Sequence, residues 1–240
     1  MFWLVVRIVL LPVFRVVDDD AGFVNREPKV VTGAKDPEEA ARMALGVDLV
    51  RTGRPGREAQ GGLPVAVLLG RAPGAELLRT IAGLKGDATP LGLAHIALAQ
   101  AAAEADPDAV IREYFDLFVG VVQGELVPYG SYYLTGFLHE RPLARVREDL
   151  ARLGVERVEN LKEPEDHVAI LCDVMAGLAS RRFEAEAGFE PAFFERHLKP
   201  WAPRFFADLE TANLGRFYRA VGRVGRMFME IEAEAFAMGA

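Results

Sequence analysis

EPEDHVAILCDVMAGL, residues 163–178, is the stretch on which the reading of the fold turns. Glu163 offers a capping carboxylate, and Pro164 suits a first helical position, whose N–H has no partner anyway. Glu165 and Asp166 set negative charge on the positive end of the helix dipole. A helix is therefore predicted to open at Glu163. Val168, Leu171, Cys172, Met175, Leu178 and Ala179 recur on one face, which would bury that stripe and leave Asp166 and His167 at the open mouth of the helix.

Outward from this helix the same spacing repeats. Upstream, Leu143, Val146, Leu150 and Leu153 form one helical face, with Gly154 placed as a left-handed stop. Before them, Pro128 holds the chain extended ahead of Ser131, a capping residue for a short helix reaching Leu138, with Tyr129, Tyr132, Tyr133 and Phe137 forming an aromatic corner. Thr89-Pro90 and Asp106-Pro107 each pair a cap with a first-position proline, which predicts helices over 90–105 and 107–118, preceded by shorter ones at 65–71 and 75–84. In 107–118, Val110, Ile111, Tyr114, Phe115, Leu117 and Phe118 cover so wide an arc that the helix is expected to be buried on most sides or to line a groove. Downstream, helices are predicted over 190–198 and 203–213, then a long one carrying Phe217, Val221, Val224, Phe228, Ile231 and Phe236 on one side despite Gly222 and Gly225. A further helix is read over 36–50 and a Gly/Pro/Arg-rich loop over 51–64. No alternating strand pattern competes after residue 33, and no repeat is seen. The fold class is all-α, a single-domain helical bundle over 61–240 with an atypical extension and linker over 1–60.

Composition narrows the function. With 35 acidic against 28 basic residues the formal net charge is -7, which offers no basic field for a nucleic-acid backbone. The lone cysteine, Cys172, excludes an internal disulfide and a multi-thiolate metal site and fits a reducing, cytoplasmic setting. The apolar run at 2–17 is interrupted by Arg7 and Arg15 and followed by Asp18, Asp19 and Asp20, a poor match to a secretory leader or a stable membrane span. A strand or helix of the fold and a leader that does not pack are both open readings of it.

Chemistry is sparse. The four histidines, His95, His139, His167 and His197, make no i, i+4 pair, so a zinc site at Glu163, Asp166 and His167 has only adjacency in its favour. A carboxylate beside an imidazole suits acid/base work, yet no GxSxG elbow accompanies it. No phosphate-binding loop is present, and no cofactor is expected. The aromatic cluster Tyr114, Phe115, Phe118, Tyr129, Tyr132 and Tyr133 reads either as core or as an apolar groove beside carboxylates, fit for a peptide with a basic flank.

EYFDLFVG (113–120), VPYGSYYLTGFL (127–138), the EPEDH opening at 163 and HLKPWAPRFFADLE (197–210), in that order, resemble the TorD/DmsD family of molybdoenzyme chaperones, over roughly residues 64–236. The resemblance implies an all-helical, non-enzymatic cytoplasmic protein. It implies binding of the twin-arginine signal peptide and apo-form of a molybdenum oxidoreductase, held until its cofactor is inserted and export can proceed. A formate dehydrogenase or a dimethyl sulfoxide reductase-like enzyme would be such a client. The family's PxDH motif falls on Pro164, Asp166 and His167, its LF motif on Leu117 and Phe118, and its P-aromatic-x-S segment on Pro128, Tyr129 and Ser131. With Tyr114 and Glu163 these form the implied peptide-binding set.

The chain departs from the family in its first quarter, where 61–64 (GGLP) precedes VAVLLGRAP and the usual tyrosine is missing. Helix exchange into a homodimer stays open, because it needs only a hinge such as 120–130. Two other readings stand beside the chaperone: a small hydrolase or metal-dependent enzyme using Asp166 and His167, and a helical interaction module for an unrelated partner.

Overall fold

A computed structural model describes residues 14–16, 65–157, 163–179 and 183–238. Among them lie ten α-helices: α1 Val65–Gly70, α2 Ala75–Ala82, α3 Pro90–Ala103, α4 Pro107–Tyr114, α5 Gly130–Thr135, α6 Arg141–Arg152, α7 Val168–Ala179, α8 Phe189–His197, α9 Ala202–Thr211 and α10 Phe217–Met238. The fold class is all-α, as the periodicity predicts. The exception is a ribbon of two three-residue strands, β1 Phe14–Val16 and β2 Val155–Arg157, paired antiparallel with Val16 opposite Val155. Three residues are too few to display a period of two, which is why the pattern after residue 33 gives no warning of β2. The expected helix at 36–50, the loop at 51–64 and the boundary near residue 60 lie outside the described residues.

Several boundaries follow local chemistry. The Thr89 hydroxyl accepts from Gly92 N–H at 3.1 Å to open α3. Asp106 accepts from the Asp108 and Ala109 N–H groups at 3.4 and 3.3 Å to open α4. Gly154 adopts φ +62°, the left-handed stop its context predicts. The 107–118 segment is not one α-helix throughout. It passes after Tyr114 into a π-helical turn, Phe115–Val119, which turns Leu117 fully into the core and leaves Ile111 and Phe115 exposed.

At the centre runs α7, which buries every residue except Cys172 and Ala179. The single stripe expected from the sequence is thus too narrow, and those two members of it are the ones left partly open. The physical reason is that α1 and α8 both pack on α7, and a helix apolar all round is core. Each fully buried Leu or Val there contributes roughly 1.5–3 kcal/mol. Asp173, also buried, is the charged exception within the helix.

The longest helix, α10, packs on α9, α3 and α1. Its two glycines are what allow the close crossing with α9. A Cβ on Gly222 would lie 2.5 Å from the Glu210 nitrogen, and one on Gly225 would enter the buried Phe206 ring. The start of α10 is fastened from a distance, since the Glu113 carboxylate of α4 accepts from the N–H groups of Arg216 at 2.7 Å, Phe217 at 3.2 Å and Tyr218 at 2.7 Å. Glu125 takes the Asn213 and Leu214 N–H groups at 2.7 and 2.9 Å in the turn just before.

Gly225→Ala should lower the urea midpoint of unfolding. The added methyl gains up to ~1 kcal/mol of helix propensity, but overpacking against Phe206 costs about 1–3 kcal/mol. Gly225→Val should lie lower still, and a midpoint at or above that of the unmodified chain would contradict the crossing described.

Candidate functional site

Two segments distant in sequence interlock at the mouth of α7. The Pro128 carbonyl accepts from Val168 N–H at 2.9 Å, and Gly130 N–H donates to the Asp166 carbonyl at 3.0 Å, which pairs Tyr129 with His167 as an antiparallel bridge. The Asp166 carboxylate then accepts from Ser131 N–H at 2.7 Å. Because Ser131 is the second residue of α5, this carboxylate caps α5 from 35 residues away. Gly130 is required here on steric grounds, since a Cβ would meet the indole nitrogen of buried Trp201 at 3.0 Å.

The cap of α7 is also not the predicted one. His167 Nδ1 accepts from Ala169 N–H at 3.1 Å and the His167 carbonyl from Leu171 N–H at 3.0 Å, so His167 caps the helix and Val168 opens it. Glu163 and Pro164 lie one turn earlier, where the Pro164 carbonyl accepts from His167 N–H at 3.1 Å. Ser131 likewise sits inside α5, with Tyr129 at the N-cap position. Glu165 has a different duty from the dipole charge expected of it. Its buried carboxylate is held by Arg147 of α6 through Nε and a terminal nitrogen, each at 2.9 Å.

This architecture divides the nine residues singled out in the sequence. Leu117 and Ser131 are fully buried, Asp166 is 1% and His167 5% exposed, and Pro128 is buried. Asp166 and His167, expected at an open mouth, are interior fasteners. Tyr114, Phe118 and Tyr129 are half-buried, and Glu163 is exposed. These four are brought together. The Tyr114 and Phe118 rings lie 5.2 Å apart, and the Tyr129 hydroxyl donates to the Glu163 carboxylate. Burial and then the nearby Glu163 charge push the Tyr114 phenol up to about 12. Tyr129 is raised by burial first, then by its bond to Glu163. The Tyr129 ring stands edge-on to His167 with centroids 5.0 Å apart.

The Asp166–His167 pair is not an acid/base dyad in this arrangement, because each side chain caps a different helix. Burial pulls the His167 imidazole down to about 4, so it is neutral at pH 7, and with Nδ1 accepting, its proton resides on Nε2. Among the described residues no group of three or more His, Cys, Asp or Glu side chains is arranged to hold a metal ion. No helix among them is long and apolar enough to cross a membrane.

Sequence reasoning missed the backing of this surface. Tyr218 of α10 is fully buried, donates to the Leu68 carbonyl at 3.0 Å, and sets its ring 5.9 Å from Tyr114 in a tilted contact and 5.3 Å from Phe118 edge-on. Only its position at the start of a predicted apolar helix could have hinted at this. Arg147 and Trp201 were missed too, since their partners lie on other helices and leave no local spacing to read.

Comparison with known proteins places the fold and the family. A crystal structure described as a redox enzyme maturation protein from Archaeoglobus fulgidus superposes with TM-score 0.50, covering 74% of this chain and 99% of that one. At 20% identity the likeness is one of fold. Residues 84–207 match the family described as nitrate reductase delta subunit. The chaperone protein TorD of Vibrio cholerae is 32% identical over 127 residues, 49% of this chain and 58% of that relative. TorD of Vibrio vulnificus is 34% identical over 132 residues, 51% and 61% of the two chains. The chain belongs to the nitrate reductase delta subunit family, the TorD family of chaperones. The matched stretch spans less than two thirds of these relatives' length.

Asp166→Ala strands the buried Ser131 N–H and should destabilise the protein by about 1–3 kcal/mol, with Asp166→Asn less costly because an acceptor remains. For His167 the pH sign is fixed by its depressed pKa. Between about 4 folded and ~6.5 unfolded, the unfolded chain binds the extra proton, so this contribution to stability is complete above that window and is lost as pH falls through it. His167→Asn, which keeps an acceptor without an imidazole, should flatten that acid limb in urea titrations between pH 4 and 7. An unchanged slope would show that His167 is not the group responsible.

Proposed function

We propose that this protein is a maturation chaperone for a molybdenum-containing oxidoreductase. It binds the client's twin-arginine signal peptide and apo-form in the cytoplasm and holds them until the cofactor is inserted. The client class, a formate dehydrogenase or a dimethyl sulfoxide reductase-like enzyme, belongs to the same reading, as does the absence of an enzymatic step. Kinship with proteins named TorD chaperones supports it. The observation that carries it is local: an exposed carboxylate, Glu163, sits against the half-buried rings of Tyr114 and Tyr129, with Phe118 alongside Tyr114.

A peptide with two adjacent arginines followed by an apolar helix needs such a surface. Guanidinium groups meet the rim carboxylate, and the apolar turns lie on the rings. The negative net charge steers the encounter. Ordering the peptide costs roughly 2–5 kcal/mol, which keeps the complex reversible, as release of the client demands. Pro128, Ser131, Asp166 and His167 serve the same task one layer down, by fixing where Tyr129 and Glu163 stand, and buried Leu117 anchors the turn that carries Phe118. The reading as a hydrolase or metal-dependent enzyme draws no support from Asp166 and His167, since both side chains are committed to helix caps.

Fluorescence anisotropy with a labelled twin-arginine peptide tests this. Glu163→Gln should weaken binding about two- to fivefold at low salt and less at high salt, and Phe118→Ala about tenfold, with circular dichroism confirming the fold. If a peptide with both arginines changed to glutamine binds as tightly as the original, the proposal is wrong.

A further inference from the structure

Just past the rings of the candidate site lie the most exposed large apolar side chains among the described residues. Val121 and Val122 are 95% and 99% exposed, and Ile111, Phe115 and Val119, at four-residue steps along α4 and its π-helical turn, are each close to half exposed. Phe115 and Val119 directly follow Tyr114 and Phe118, so this strip borders the site along one edge. None of its five members belongs to the residue set assigned to the site above.

The fold gives no reason for two valines at 121 and 122. Turns favour Gly, Pro, Asn, Asp and Ser for conformational reasons, and this one is strapped down along its length. Gly120 bends it at φ +62° and donates to the Phe115 carbonyl at 2.7 Å. The N–H groups of Glu125 and Leu126 return to the Asp116 and Leu117 carbonyls at 3.1 and 2.8 Å, and a Cβ on Gly124 would lie 2.4 Å from the Leu117 oxygen. Apolar surface held out to water in a fixed shape marks a contact with another molecule.

We propose, resting on the reading above, that this strip carries the part of the client's apolar signal helix that the rings leave uncovered, with Val121 and Val122 as its far anchor. Length is the first reason. An apolar stretch of about 7–15 residues is roughly 10–22 Å long as a helix, whereas the Tyr114 and Phe118 rings, 5.2 Å apart, span a single turn. The line from Ile111 to Val119 adds about 12 Å, enough for a second helix to lie along it. Charge is the second reason. Residues 106–125 hold five acids against one arginine, Arg112, which Asp106 engages. Arg216 of α10, whose backbone N–H Glu113 accepts, offsets one more charge and leaves the excess negative. Two copies of such a strip facing each other would repel, while a cationic peptide is drawn in. The other exposed apolar cluster, Leu134, Phe137 and Leu138, leads instead into Arg141 and Arg145 of α6, which repel a twin-arginine segment.

Fluorescence anisotropy on the full-length chain, as wild type and as Val121→Ser/Val122→Ser, tests this with two labelled peptides. They share the paired arginines and differ in the apolar stretch, about 14 residues in one and about four in the other. The variant should bind the long peptide about tenfold more weakly and the short one as wild type does. Its Tm should be unchanged, because both side chains already stand in water. Phe137→Ser, an equal loss of exposed apolar surface elsewhere, should leave both affinities as they are. Equal affinity of variant and wild type for the long peptide, or an equal loss for both peptides, would overturn the assignment. So would a wild-type dimer in analytical ultracentrifugation that the variant dissociates, since a second copy would then cover the strip. Failure of the reading above has a different signature: binding would persist with both arginines changed to glutamine, whatever residues stand at 121 and 122.

Discussion

The Asp166 carboxylate 2.7 Å from Ser131 N–H, flanked by the two backbone bonds of the Tyr129–His167 bridge, determines where two helices begin. A charge-assisted bond of this kind is roughly twice as strong as a neutral one, and here it is removed from water at 1% exposure. With Asp166 committed to α5, the adjacent His167 is left to cap α7, and its neutral form is the one that can accept the Ala169 N–H. Tyr129 and Glu163 are then placed by covalent neighbours of these fixed points. The exposed edge of this surface inherits its geometry from bonds buried beneath it.

The same device recurs across the molecule. Glu113 fastens the start of α10 and Glu125 the turn before it, each from a segment about 90 to 100 residues earlier. Asp149 collects Arg152, Arg196 and the His197 ring at 2.6–3.1 Å where α6 meets α8. Burial alone would raise its carboxyl, but the bonds from His197 and Arg196 hold it below the usual range. Short helices nucleate poorly by themselves. In this bundle, orphan N–H groups at the starts of α5 and α10 find acceptors on segments distant in sequence, so capping energy is there also tertiary energy.

That pattern accounts for what the sequence could and could not disclose. Helix existence was legible because apolar periodicity reflects burial, and the starts at Thr89 and Asp106 were legible because cap and donor lie within three residues. The stop at Gly154 was equally local. The starts of α5 and α7 fall elsewhere than at the apparent caps Ser131 and Glu163, since the α5 cap comes from Asp166, 35 residues away, and α7 is capped by the ring nitrogen of His167, which replaces the carboxylate one turn earlier. Tyr114, Phe118 and Tyr129 could be grouped as aromatics, but the backing of Tyr114 and Phe118 by Tyr218 depends on where α10 crosses, which Gly222 and Gly225 control from within a helix they were expected only to weaken. The resemblance to the family drew these segments together as one set. It could not say which residues face outward and which hold the others in place.

The fastener itself is not fully satisfied. Asp166 Oδ1 and Ser131 Oγ are buried without a hydrogen-bond partner, on the same two side chains whose other groups form the central bond. Each such group carries a cost of about 1–3 kcal/mol, comparable to what the charge-assisted bond returns, so the bond by itself would not hold the segments in register. What tips the balance is that the backbone bridge, the Arg147–Glu165 contact and the packing of Trp201 on Gly130 all require the same alignment. The register is over-determined by neutral packing and backbone pairing, and the buried carboxylate specifies which register wins more than it adds net stability.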